Sequence, residues 1–148
     1  MEDLLFEINE TARAIRRLFD QRVSTMGVTR SQWRVLARLK REPNLRQVEL
    51  AERLDMEPIT LCRIVDRLEE AGLVERKTDP SDRRAWLLEL TSKADPVVKQ
   101  LRGVARGIAE EAMDGIKNGD LRELQDQLAA IRSNIARSVE QRGKAVRE

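Results

Sequence analysis

Apolar residues fall three and four positions apart at Leu4, Leu5, Ile8, Ala12, Ile15, Leu18 and Phe19. That repeat is one face of a helix, so a helix is predicted over residues 4–22. Met26-Gly27 interrupts it. Thr29-Arg30-Ser31 then offers an N-cap for a second helix carrying Trp33, Leu36, Ala37 and Leu39. Glu42-Pro43-Asn44 ends that helix, because proline disfavours helical geometry in the residue before it. Val48, Ala51 and Leu54 mark a short third helix over residues 47–54, and Asp55-Met56-Glu57 makes a tight corner. A fourth helix is predicted over residues 58–71, with Pro58 in its first turn and Gly72 just past its end.

After Gly72 the period changes from helical to alternating. Residues 73–77 and 85–90 read as strands, joined through Thr78-Asp79-Pro80-Ser81-Asp82 into a two-stranded hairpin with a long charged tip. Thr91 is expected to cap a long helix reaching Ile116, kinked or restarted at Pro96. Asn118-Gly119-Asp120 reads as a turn into a last helix with Leu121, Leu124, Leu128, Ile131, Ile135 and Val139 on one stripe. The polar tail from Gln141 is expected to fray. No repeat, linker or low-complexity segment appears. The fold class is therefore mainly α with a small β-hairpin. Residues 29–94 are expected to form a winged helix-turn-helix lobe. Residues 1–28 and 95–148 supply flanking dimerisation helices within one integrated domain, which suits a length of 148 residues.

Composition narrows the chemistry. There is no His, which removes the commonest general base and metal ligand. A single cysteine, Cys62, allows neither an internal disulfide nor the thiolate and imidazole set of a structural zinc site in one chain. No glycine-rich phosphate loop is present, and no carboxylate pair stands out. An enzyme, a cofactor and a metal are therefore not expected. No stretch reaches the roughly 20 apolar residues that span a bilayer, and the acidic start MEDLLFEINE does not read as a secretory signal, so no membrane partner and a cytoplasmic location are expected. The net charge is only +2, and residues 30–90 hold 13 basic and 12 acidic residues. Any case for a polyanion partner must rest on where particular arginines sit.

Two helices joined by a short corner and followed by a hairpin make a winged helix-turn-helix, an arrangement that places the second helix in a DNA major groove. Ala51 is small where the two helices approach, and Asp55 stands at the corner where glycine is usual. On a helical wheel of residues 58–71, Leu61, Ile64, Val65 and Leu68 share one side. Ile59, Arg63, Asp66 and Glu70 face away, with Thr60 and Arg67 flanking. An arginine can bond a guanine edge and an apolar side chain can touch a thymine methyl, so this outer face suits base readout. A solvated surface that happens to include an isoleucine is the plain alternative. In the hairpin tip, Asp82-Arg83-Arg84 suits entry into a minor groove, with Asp82 orienting an arginine through a fork-to-carboxylate bond. A charged solvated turn is the alternative there. The candidate DNA-contacting residues are Arg46, Gln47, Pro58, Ile59, Thr60, Arg63, Arg67, Asp82, Arg83 and Arg84.

From Thr29 to about Ala94 the sequence resembles the MarR family of bacterial regulators, within it the SlyA-like branch. The resemblance is carried by Gln32-Trp33-Arg34-Val35-Leu36, Val48-Glu49-Leu50-Ala51 and Leu68-Glu69-Glu70-Ala71-Gly72-Leu73-Val74. Above all it rests on Ser81-Asp82-Arg83-Arg84-Ala85 followed by Leu90-Thr91-Ser92-Lys93-Ala94. It implies a homodimer on a short pseudo-palindrome of double-stranded DNA, with Arg84 as the wing arginine and Asp82 as its partner. It also implies repression of neighbouring genes, with release by a small phenolic or carboxylate effector or a response to oxidants through cysteine. The residues themselves agree about dimerisation. Leu4, Leu5, Ile8, Ile15, Leu121, Leu124, Leu128 and Ile131 form stripes that a winged core cannot cover alone, unless the long helices pack within one chain.

Trp33 and Arg63 are candidates for an effector pocket, although Trp33 is equally suited to a core. Cys62 lies at the border of the core face, where a structural role competes with an oxidant-sensing one. Trp86 is expected to pack the wing. A winged helix that docks proteins without reading DNA would also suit the balanced charge, although the outward arginines argue against it.

Overall fold

Capping and turn chemistry set where the elements begin and end. The structure is a computed structural model that describes residues 1–145, with side chains described to Gln141. Helix α1 (Glu2–Val23) leads through one 3-10 turn into α2 (Arg30–Arg41). At the start of α2 the Thr29 hydroxyl accepts the Gln32 N–H at 3.2 Å, and the Gln32 side chain accepts the Thr29 N–H at 3.1 Å. This reciprocal box satisfies two donors that the first helical turn leaves without partners. Strand β1 (Leu45–Arg46) runs directly into α3 (Gln47–Leu54), where the Glu49 carboxylate accepts the Arg46 N–H at 2.8 Å. Asp55 takes the left-handed conformation expected of the corner, with φ 52°. Helix α4 (Pro58–Glu70) then starts on its proline. It ends in a Schellman closure: the Leu73 N–H donates to the Leu68 carbonyl at 2.9 Å and the Gly72 N–H to the Glu69 carbonyl at 2.8 Å, with Gly72 at φ 72°.

Strands β2 (Val74–Asp79) and β3 (Asp82–Leu90) complete an antiparallel sheet in the order β1-β3-β2. The core forms between this sheet and α2, α3 and α4. Val35, Leu36 and Leu39 meet Leu50, Ala51, Leu61, Val65, Leu68, Val74 and Leu88, and Val98 and Leu101 of α5 (Ala94–Ala112) join the same cluster. The chain divides into two compact units, Met1–Ile108 and Ala109–Glu148. The second contains α6 (Asn118–Ala145), on which Leu121, Leu128 and Ile131 are half-buried and Leu124, Ile135 and Val139 are exposed. Among the described residues, no helix is long and apolar enough to cross a membrane.

Several expectations are corrected. The sheet has three strands, because Leu45 and Arg46 pair with Leu88 and Leu87. A two-residue strand carries no readable alternation. The wing tip is short, since both strands extend until only Pro80 and Ser81 lie between them. Pro96 causes no kink, because α5 begins at Ala94 and a proline in the first turn has no helical partner to lose. Thr91 does not cap α5. Its hydroxyl donates to the Gly72 carbonyl at 2.6 Å and its N–H to the Leu73 carbonyl at 3.0 Å, fastening the end of β3 to the end of α4. Helix α5 stops at Ala112 and not at Ile116, and Asn118 begins α6 instead of forming the turn. Gly115, at φ 76°, takes the break. Helix α6 continues through Ala145, where a frayed tail from Gln141 is expected; the last three residues of that tail lie outside the described residues.

The wing is tied to the start of α3 through one buried carboxylate. Asp79, only 5% exposed, accepts the Ser81 N–H at 2.8 Å and the Ser81 hydroxyl at 2.7 Å. It also receives Nε and Nη2 of Arg46, both at 2.7 Å. The Ser81 hydroxyl, its N–H and the Arg46 guanidinium together hold the Asp79 carboxyl below its ordinary pKa.

Two stability predictions follow from this packing. Leu61 has no exposed surface, so Leu61→Ala should cost about 2–5 kcal/mol, read from the urea midpoint at unchanged slope. Asp79 regains its ordinary pKa when the chain unfolds. The stability its depressed pKa confers is thus complete above the ordinary carboxylate range and is lost as pH falls through the lower, folded value. Asp79→Asn should therefore be less stable than the parent near neutrality, and the gap should shrink in acid. Urea midpoints of both proteins across that range check it.

Candidate nucleic-acid interface

Helix α4 has its inner face locked in the core and its outer face exposed. Leu61, Val65 and Leu68 are at most 1% exposed, whereas Ile59 is 68% exposed. Thr60, Arg63, Asp66, Arg67 and Glu70 are exposed as well, as the helical wheel predicts, and Ile64 is half-buried at the border. Thr60, Arg63 and Arg67 line one side of a cleft of about 330 Å3, with Thr29, Ser31 and Gln32 of the α2 start on the other.

A second cleft, of about 300 Å3, lies where the first turns of α3 and α4 meet the wing. Arg46, Gln47, Pro58 and Arg84 line it together with Val48 and Trp86. Four sequence-predicted residues from four separate elements, β1, α3, α4 and β3, thus converge. Trp86, expected as packing, is instead 48% exposed and contributes to this cleft. Val48, which the sequence groups on one helix face with Ala51 and Leu54, is 56% exposed while those two are buried.

The wing arginines are placed as expected, but their geometry is not. Arg83 and Arg84 are exposed. Asp82 makes no fork with either guanidinium; its carboxylate accepts the backbone N–H of Arg84 at 3.0 Å. A carboxylate two residues before a strand amide closes an Asx turn locally, which competes with reaching the longer side chain. The arginine that does pair with a carboxylate of the wing is Arg46, whose Nε and Nη2 both lie 2.7 Å from one oxygen, Oδ2 of Asp79. Sequence reasoning passed over Asp79 as ordinary turn chemistry; the signal available was its spacing two residues before Ser81.

Behind this surface, Arg76 of β2 gathers several groups. It binds Asp66 and Glu69 of α4 at 2.6 Å each, and donates through Nε to the Gln47 side chain at 3.2 Å. Its Nη2 lies 3.4 Å from the Cys62 carbonyl and 3.8 Å from the Cys62 sulfur. Cys62 is half-buried at the core border, and Gln47 is committed to this network. Arg76 therefore holds the wing, α3 and α4 in one register and offers little to a ligand.

The two effector candidates do not share a cavity. Trp33 stacks at 4.3 Å against Phe19, donates its indole N–H to Asp20 at 3.1 Å, and lines a cavity of about 770 Å3 with Ala37, Val98, Leu101 and Arg102. Arg63 lies in the α2–α4 cleft instead. Of the proposed seam residues, Leu4, Leu5, Ile15 and Leu124 are exposed in the single chain, and Ile8, Leu121, Leu128 and Ile131 are half-buried. Among the described residues, no group of His, Cys, Asp and Glu could hold a metal ion.

Comparison with known proteins agrees with this reading of the fold. The MarR family model matches residues 28–86, the span from the α2 cap through α4 into the wing. The transcriptional regulator PA3341 is 33% identical, with a TM-score of 0.82 over 90% of this chain and 98% of its own. The transcriptional regulator SlyA is 26% identical, with a TM-score of 0.78 over 92% of this chain and 96% of its own. A MarR family regulator from Listeria monocytogenes, crystallised with a 26-mer DNA, is 24% identical, with a TM-score of 0.81 over 92% and 91%. With a winged helix-turn-helix over the matched residues and this similarity along nearly its whole length, the chain belongs to the MarR family of transcription regulators.

Proposed function

We propose that the chain is a sequence-specific double-stranded DNA-binding repressor that acts as a homodimer on a pseudo-palindromic operator. The observation that carries this reading is the division of α4. Its apolar face is sealed in the core while Ile59, Thr60 and Arg63 stand exposed, and Pro58 at the start of the same helix lines one cleft with Arg84 of the wing. Pro58, Ile59, Thr60 and Arg63 enter the major groove, with Arg63 on a guanine edge and Ile59 on a thymine methyl. Arg84 enters the minor groove, with its backbone held by Asp82. Arg67 and Arg83 meet phosphates, and Gln47 and Arg46 position the start of α3 behind them. The Listeria relative bound to DNA supports the choice of partner.

Exposed Leu4, Leu5 and Ile15 on α1 and Leu124 on α6, with the half-buried Ile8, Leu121, Leu128 and Ile131, form the seam between two copies. Two-fold symmetry would set the recognition helices roughly 34 Å apart, one turn of DNA. A small aromatic or acidic effector would enter the cavity beside Trp33, where Phe19 supplies a ring face and Lys40 and Arg102 supply positive charge. Balanced charge favours a second reading, a winged helix that docks a protein without base readout.

Fluorescence anisotropy with DNA from upstream of the chain's own gene separates the two. Selective binding should fall steeply with salt. Arg63→Ala should lose about 1–3 kcal/mol and relax preference at one position per half-site. Arg84→Ala should weaken binding across sequences and lower the salt slope by about one. Parental affinity and selectivity in both variants would remove these roles. For the seam, Leu128→Asp should shift the chain toward monomer in sedimentation at micromolar concentration, and a fully dimeric variant would exclude Leu128 from the interface.

A further inference from the structure

Away from the recognition face, five arginines surround one space. Arg13, Arg16 and Arg17 of α1 and Arg30 and Arg34 of α2 line an open cavity of about 530 Å3. Two form ion pairs, Arg13 with Glu10 at 3.4 Å and Arg30 with Asp20 at 2.9 Å, and Asp55 places a third negative charge near Arg34. Arg34 spends one N–H on the Leu54 carbonyl at 2.6 Å, which neutralises nothing. Arg16 and Arg17 pair with no acidic side chain among the described residues. Burial first, and then the charges of Arg30 and Arg16, hold the Arg34 guanidinium below its ordinary pKa.

Like charges gathered around one cavity repel, and a counter-charge is what relieves the repulsion. We infer that this cavity binds a small, multiply charged anion bearing phosphate or clustered carboxylates. Guanidinium forks match both groups bidentately, and several forks around one space favour an anion with more than one charged group. The volume falls within the range of about 300–1,000 Å3 typical of small-molecule sites.

The occupant's source follows from the two sides of the α2 start. Thr29, Ser31 and Gln32 line the cleft shared with Arg63, whereas Arg30 and Arg34 line the arginine cavity. At about 100° per residue, Gln32 points roughly opposite to Arg30. A duplex read by α4 therefore lies across α2 from this cavity, and a free anion fits better than a DNA phosphate. That choice of source, unlike the anion chemistry, rests on the proposed DNA reading.

The test is titration calorimetry of the full chain with inorganic pyrophosphate at constant ionic strength, for the parent and for the double variant Arg16→Ala, Arg17→Ala. Both side chains are exposed and the change removes two mutually repelling charges, so without ligand the variant should unfold at or above the parental temperature. One pyrophosphate per parent chain, bound at least tenfold more weakly by the variant, is expected. No binding by the parent, or equal binding by the variant, would overturn the site. Anisotropy without pyrophosphate distinguishes the sources. Unchanged DNA affinity in the variant supports a free anion, and lost affinity with a shallower salt slope would assign these arginines to the DNA backbone and overturn it. Calorimetry reads the same whether or not the chain binds DNA, so failure of the DNA reading would show separately.

Discussion

Leu61, Val65 and Leu68 lie on one face of α4 and are almost wholly removed from water. Burying each is worth about 1.5–3 kcal/mol, so the rotation of α4 about its axis is set by the core. The points from which Ile59, Thr60 and Arg63 leave the opposite face are then set by the core. A recognition surface needs that property: residues held in place yet left unspent. The small Ala51 lets α3 approach, and Asp55 in the left-handed conformation turns the chain between the two helices.

Charge is sorted by the same scaffold. Net charge is only +2, so a uniform distribution would leave little positive potential anywhere. Arg38, Arg46, Arg53 and Arg76 are matched to carboxylates that hold elements together. Asp66 and Glu69, which stand on the same helix as the proposed base-reading residues, are drawn toward Arg76. Arg63, Arg67, Arg83 and Arg84 are exposed and enter no ion pair among the described residues. Arg76 thus takes up Asp66 and Glu69 of α4, and Asp82 of the wing is spent on the Arg84 backbone N–H. The cluster on α1 and α2 follows a different pattern, since there the arginines outnumber the acids that face them.

Much of this was legible in the sequence, and the reasons are local. Thr29, Pro58, Gly72 and Asp55 act through their own backbone geometry, so the ends of α2 and α4 and the corner between α3 and α4 could be read directly. The outward set Ile59, Thr60, Arg63 and Arg67 followed from helical periodicity alone. What could not be read depends on partners far along the chain. Strand β1 exists because Leu45 and Arg46 meet Leu88 and Leu87, some forty residues on. Arg46 pairs with Asp79, and Thr91 bonds to Gly72, for the same reason. The assignment of Asp82 to an arginine side chain failed because a carboxylate two residues from an amide closes a turn first. Trp33 and Arg63 line different cavities, a separation that depends on how α2 packs and that sequence does not tell.

The most direct test of the central claim is to select binding sites for the full chain from random-sequence duplex DNA and to repeat the selection with Arg63→Ala. The account predicts enrichment of a pseudo-palindrome whose half-sites are about 10 base pairs apart centre to centre, with one position per half-site losing its preference in the variant. Failure to enrich any sequence, or an identical enriched motif from both proteins, would contradict it.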